Sequence, residues 1–234
     1  MRQVILDTET TGLDAKNGDR IIEIGCVEMV ARKLTRRTFH KYINPERKSD
    51  AGALAVHGIS DESLLDKPKF AQIAQEFSDF VRGAELVIHN AAFDLGFLDA
   101  ELGRLKLPLV KDLCEGVVDS LKLARELHPG RKNSLDVLCD RYAIDNSRRT
   151  LHGALLDAEL LAEVYLAMTR GQESLLMDEE ALPPAELDES GERVRPTLRV
   201  QPAAPDELAA HESLLADIAK ASKGNCLWLS GAGG

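Results

Sequence analysis

Apolar positions fall first into short β-branched runs and then into helix-spaced segments. Gln3-Val4-Ile5-Leu6 reads as a buried strand, stopped by Thr10-Thr11-Gly12. Ile21 to Val30 and Thr38 to Ile43 are two further runs, suited to antiparallel pairing. Ala84 to His89 is a fourth strand, leading through Asn90 into a helix from about Asp94 to Arg104. Helical spacing recurs at Phe70 to Val81, Ser134 to Tyr142 and Ala154 to Thr169, with Ser134 a suitable N-cap. Strands followed by strand–helix alternation predict an α/β fold, a mixed sheet flanked by helices.

Beyond Gly171 the pattern changes. Residues 178–205 carry five of the nine prolines, many acids and few large apolar groups, the composition of a flexible linker. From Asp206 to Lys223 an amphipathic helix reappears. Leu208, Leu215, Ile218 and Ser222 lie near one face, and Gly224-Asn225 forms a stop. Cys226-Leu227-Trp228-Leu229 follows, with the only tryptophan. The expectation is one folded domain, 1–171, and a tethered tail.

Charge sharpens that division. The chain of 234 residues carries a net charge of −10. Residues 1–170 hold 24 basic and 27 acidic residues, net −3, whereas 171–234 hold 5 and 12, net −7. Acidity therefore belongs mostly to the tail and does not exclude a nucleic-acid substrate for the domain. Arg32, Lys33, Arg36, Arg37, Lys41, Arg47 and Lys48 are opposed only by Glu46, a run that fits either a local basic surface or a solvated strand pair. No run reaches the roughly 18 to 20 apolar residues of a membrane span. Met-Arg-Gln-Val-Ile-Leu-Asp is too short an apolar start for a signal peptide. Cys26, Cys114, Cys139 and Cys226 are scattered without a CxxC pair, which excludes a readable zinc knuckle and favours a reducing, cytoplasmic compartment.

The candidate chemistry lies in carboxylates. Asp7 and Glu9 stand two apart at the end of the first strand, so strand geometry puts both on one face. Such like charges need a cation, and carboxylate oxygens suit hard ions such as Mg2+ or Mn2+. Asp94 falls where a strand gives way to a helix. Asp157, between leucines on a half-buried helix, needs a partner. His152 precedes it by five residues, which is off-face on an ideal helix, so His152 belongs on the entering loop as a candidate general base. Taken singly, each of these residues has an ordinary structural explanation. Together they suit phosphodiester hydrolysis with two divalent ions and a base. No GxxxxGK[ST] phosphate loop is present.

Asp7-Thr8-Glu9-Thr10-Thr11-Gly12, His89-Asn90-Ala91-Ala92-Phe93-Asp94 and His152-Gly153-Ala154-Leu155-Leu156-Asp157 resemble the three motifs of the DEDDh 3'-5' exonucleases, in order, across residues 1–171. Gly130 to Asp136 and Asp145 to Tyr165 are especially similar to its proofreading members. The resemblance implies a ribonuclease-H-like fold. It implies that Asp7, Glu9 and Asp157 bind one metal, that Asp7 bridges to a second held by Asp94, and that His152 is the base. It also implies that Thr10, Thr11, Gly12, Leu13, His57 and Phe93 meet the terminal nucleotide of a DNA primer 3' end. An acidic contact that it implies five positions before His57 is Gly52 here, with Asp50 the nearest acid.

In the tail, Gln172 to Met177 is similar to a sliding-clamp-binding motif, in which a glutamine and spaced apolar residues enter a pocket. A 28-residue coil over 178–205 would reach roughly 30 Å. Residues 206–234 then resemble the segment by which proofreading exonucleases dock on their polymerase subunit, as a helix laid in a groove. Whether a small accessory subunit also binds is left open. Tethering also explains a chain with little charge attraction for DNA. Two other functions compete: an RNA-trimming DEDDh exonuclease, which would not need the tail, and an inactive scaffold, which would not need five competent catalytic positions.

Overall fold

The computed structural model describes residues 1–147, 149, 151–170, 202–222 and 228. The hexapeptide 172–177, most of the linker and the Gly224-Asn225 stop lie outside the described residues. The chain divides into two compact units, Met1–Met177 and Asp178–Gly234.

The first unit is built on five strands: β1 (Arg2–Thr10), β2 (Ile21–Val30), β3 (Lys33–Tyr42), β4 (Glu85–Ile88) and β5 (Gly116–Asp119). Their order is β3-β2-β1-β4-β5; β1 and β2 pair antiparallel, as do β2 and β3, whereas β4 runs parallel to both β1 and β5. The helices are α1 (Ala51–His57), α2 (Asp61–Leu64), α3 (Phe70–Val81), α4 (Ala91–Arg104), α5 (Val110–Leu113), α6 (Ser120–Leu127), α7 (Leu135–Tyr142) and α8 (Ala154–Met168). A short 3-10 turn, Ala15–Asn17, follows β1. This is the mixed sheet flanked by helices that the pattern predicts.

The alternation of strand side chains divides the core in two. Val4, Leu6, Ile24, Cys26, Leu86 and Ile88 face one side and pack with Phe70, Phe77 and Phe97 of α3 and α4. Ile5, Val27, Met29 and Val87 face the other and pack with Leu138 of α7 and Leu160, Leu161 and Val164 of α8. Odd positions of β1 therefore look toward α8, the face on which Asp7 and Glu9 also lie.

Ile21–Val30 and Phe70–Val81 match their predicted bounds, but the first strand runs four residues beyond Leu6. β3 begins at Lys33, five residues before its apolar run, because it is an edge strand with charged outer positions. Its hairpin with β2 turns through Ala31 and Arg32, φ 47° and 60°, a left-handed pair that these residue types do not signal. The basic run is largely consumed within the fold: Arg37 pairs with Glu28, Lys41 with Glu76, Arg47 with Asp19, and Arg32 donates to Thr169. Ser134 sits at the N-cap of α7, but its side chain makes no capping bond.

In the second unit, α9 (Pro205–Ala221) has proline in its first turn and Glu207 accepting from the Ala204 N–H. Its Leu208, Leu214 and Ile218 are exposed. No described helix is long and apolar enough to cross a membrane.

Candidate active site

β1 and β4 are parallel neighbours. Beyond their C-terminal ends the chain leads from β1 to β2 on one flank and from β4 through α4 to β5 on the other, the divergence at which α/β sheets form ligand crevices. A cleft of about 630 Å³ opens there, lined by Asp7, Glu9, Phe93, Asp94, His152 and Asp157 among others. The three separated motifs thus meet at one surface.

Each motif is delivered by a specific packing feature. Asp7 and Glu9 are carried by β1, opposite Gly25 and Glu23 of β2. Asp94 lies in the first turn of α4, 3% exposed, and accepts a 2.6 Å hydrogen bond from Thr8 Oγ1. Asn90 makes the turn into α4 in the left-handed conformation, φ 67°. Asp157, also 3% exposed, lies in the first turns of α8. That helix end is pinned to the sheet by Glu23, whose Oε2 accepts from the Ala154 N–H at 3.2 Å while Oε1 meets His40 Nε2 at 2.7 Å. Gly25 permits the approach, since a Cβ there would lie 2.2 Å from the Ala154 carbonyl carbon. His152 is on the loop before α8, its N–H bonded to the Val56 carbonyl, and its Nδ1 is 3.3 Å from Asp157 Oδ2.

Negative charge dominates the electrostatics. Burial, then Asp157 and Glu23, push the Glu9 carboxyl up to about 8. Burial raises Asp94 to about 7 against the opposing hydrogen bond from Thr8. Asp7 is raised well above the ordinary carboxylate range by burial and by Asp94, Asp157 and Glu9. Ligating atoms of Glu9, His152 and Asp157 lie within 4.8 Å of one another, with Asp7 and Asp94 in the same cleft outside that tight group. Oxygen donors that resist ionising together fit a hard divalent cation.

The partner that Asp157 requires is Arg149. Its Nε and Nη2 donate to the two carboxylate oxygens at 2.5 and 2.6 Å, and its Nη1 to Asp136. Sequence reasoning missed Arg149, although the demand for a counter-charge was its signal. It also gave no role to Arg125, Arg131 and Lys132, which line the cleft beside the acids.

The nucleotide-binding positions are dispersed. Phe93 lines the cleft and packs against Phe97 with the rings tilted by 48° and their centroids 5.0 Å apart. Thr10 and Thr11 are buried and do not line it; Thr10 donates to the Gly12 carbonyl and Thr11 to Asp19. Gly12 has Asp19 at 2.4 Å from where a Cβ would be, whereas Leu13 is 85% exposed. His57 is buried; its Nδ1 accepts from the Ile59 N–H, its Nε2 has no partner, and burial lowers its pKa. Asp50 is the exposed N-cap of α1, 4.0 Å from Arg47.

Fold and site define a metal-dependent 3'-5' exonuclease of the DEDDh class. The family model described as Exonuclease matches residues 4–165. Over 97% of both chains, the sequence is 54% identical to DNA polymerase III subunit epsilon of Salmonella typhimurium and 53% identical to that of Escherichia coli K12. A solved structure of exonuclease X in complex with 5'-overhanging duplex DNA superposes with a TM-score of 0.57 at 26% identity, covering 73% of this chain and 93% of that one. The nuclease domain of 3'hExo, a DEDDh family member bound to rAMP, gives 0.62 at 18% identity, covering 73% and 92%. The chain belongs to the exonuclease family and, within it, to the DNA polymerase III epsilon subunits. Members of this family use divalent metal ions.

Proposed function

We propose that the protein removes mispaired 3'-terminal nucleotides from a DNA primer as the proofreading subunit of a replicative DNA polymerase III. The observation that carries this is the convergence of Asp7, Glu9, Asp94, His152 and Asp157 on one cleft. Asp7, Glu9, Asp94 and Asp157 would hold two divalent cations, Mg2+ or Mn2+. When bound, the ions supply charge neutralisation at the scissile phosphate and make a water molecule acidic. His152 takes the proton of the attacking water, a role supported by its partly exposed ring at the cleft. Phe93 offers a flat apolar face to the terminal base. Thr10 to Leu13 hold the terminal nucleotide through backbone groups and the exposed Leu13, and the unpartnered Nε2 of His57 offers it a donor.

The division of labour along the chain belongs to the same reading. Residues 1–171 are the exonuclease domain, Gln172 to Met177 bind the sliding clamp, 178–205 are a flexible linker, and 206–234 dock on the polymerase III alpha subunit. The exposed apolar residues of α9 support the docking role. Cys26, Cys114 and Cys139 are free thiols, consistent with work in the cytoplasm.

The test is release of mononucleotides from a mispaired primer end, with and without chelator. Asp7→Ala is expected to abolish cleavage while leaving partner binding intact. Full activity in that variant refutes the metal assignment. Faster degradation of an RNA end than of the mispaired DNA end would favour the RNA-trimming reading, and inactivity of the metal-loaded parent would favour a scaffold.

A further inference from the structure

Arg149 occupies an unusual position for a basic residue in a cation-dependent nuclease. Its side chain is 6% exposed and lies among the acids of the cleft. Both oxygens of Asp157 accept from it, at 2.5 and 2.6 Å. Its Nη2 also lies 2.8 Å from His152 Nδ1. A guanidinium only donates, so Nδ1 must be the acceptor and its lone pair is engaged. Among the described residues, Glu9, His152 and Asp157 lie close enough to share an ion, and two of these three are held by this one cation.

The guanidinium and a divalent ion therefore call on the same atoms. Resting on the assignment of Asp157 as a metal ligand above, we propose that Arg149 is a displaceable counter-cation. In the metal-free protein it neutralises Asp157 and ties back His152, and it must let go of both for the site to load. The displacement is local. Arg149 sits on the loop that also carries His152, anchored outside the acidic cluster by Asp136, whose side chain is 53% exposed. A clamp of this kind keeps Asp157 satisfied between loading events, since a buried carboxylate stripped of its counter-cation is strongly unfavourable. It is a positioning residue: it sets the affinity and order of metal binding without itself being a ligand.

Mn2+ binding to the full chain, measured calorimetrically without DNA, tests this. Arg149→Gln is expected to bind Mn2+ roughly tenfold more tightly, because a charge-assisted bidentate contact no longer has to be broken. In chelator its melting temperature is expected to fall below the parent's, with the gap closing at saturating Mn2+. Asp136→Asn separates displacement from simple charge. It removes a negative charge near the site, so a pure field effect weakens Mn2+ binding, whereas loosening the clamp tightens it severalfold. Asp136 is largely exposed, so this variant carries the test if Arg149→Gln does not fold. Unchanged or weaker Mn2+ binding in Asp136→Asn, or in a folded Arg149→Gln, overturns the clamp. Asp157→Asn is the control. Its loss of Mn2+ binding upholds the metal assignment, and retention of parental affinity would instead overturn that assignment.

Discussion

Replacing Gly25 with alanine adds one methyl group where β2 meets the first turn of α8. The new Cβ would stand 2.2 Å from both Ala154 C and Leu155 N, and 2.4 Å from Ala154 O. Carbon contacts relax only near 3.5 Å, so helix and strand must part by about 1 Å. The atoms met are backbone, and no rotamer change relieves the clash. Overpacking of this kind destabilises by about 1–3 kcal/mol, and the rigid partners argue for the upper end. For a domain of this size that lowers the melting temperature by about 5–10 °C. The functional effect should exceed the loss of stability. Gly25 lies opposite Asp7 in register and beneath the helix that carries Asp157. A shift of about 1 Å between the two acids is expected to lower the rate about 100-fold. Urea melts and single-turnover excision from a mispaired primer, both with Mn2+, read the two effects. Gly96→Ala is the control: beyond its chain neighbours and its own helix backbone, no atom lies within 4 Å of its added Cβ, so it should gain up to about 1 kcal/mol of helix stability. Stability within 0.5 kcal/mol of the parent and an unaltered excision rate in Gly25→Ala would refute the account of how Asp157 is placed.

Two further outcomes follow from the charges of the site. Glu9 and Asp94 have folded pKa values raised to about 8 and about 7, above their unfolded values, so the folded protein binds more protons between pH 4 and 8. Their stabilising effect is complete below the unfolded pKa and is lost as pH rises through the folded one, by up to about 1.4 kcal/mol per group per pH unit. In chelator the melting temperature should fall from pH 6 to 8.5, and saturating Mn2+ should flatten the slope; equal slopes in both conditions would contradict the assigned electrostatics. Replacing Arg131 and Lys132 together with alanine should raise KM about tenfold with kcat nearly unchanged. It should also reduce the salt dependence of single-strand binding by about 1.4 in log–log slope, measurable by fluorescence titration on a catalytically dead background.

The site was legible to the extent that its chemistry is written in short stretches. Asp7 and Glu9 share a face because strand side chains alternate, and the folded register keeps them there. His152 was assigned to a loop by helix geometry, and it lies before Gly153, the N-cap of α8. Four of the missed elements carry weak local signals, whereas α6, eight residues long and capped by Asp119, was missed despite a stronger one. α1, α2 and α5 span seven, four and four residues. β5 has only four residues, and its ladder partner β4 is 31 positions upstream.

Local periodicity and residue type alone determined the sheet-and-helix class, the placement of the acids on β1, α4 and α8, and the demand of Asp157 for a counter-charge. Only the folded structure decided what answers that demand. Arg149, Arg131 and Lys132 reach the cleft from loops whose direction no hydrophobic pattern encodes, and Arg125 reaches it from α6. Gly25 matters because a helix more than 120 residues later comes to rest against it. Backbone sterics and side-chain alternation act over a few neighbouring residues, whereas shape complementarity and charge pairing act between groups that become neighbours only when the core has packed.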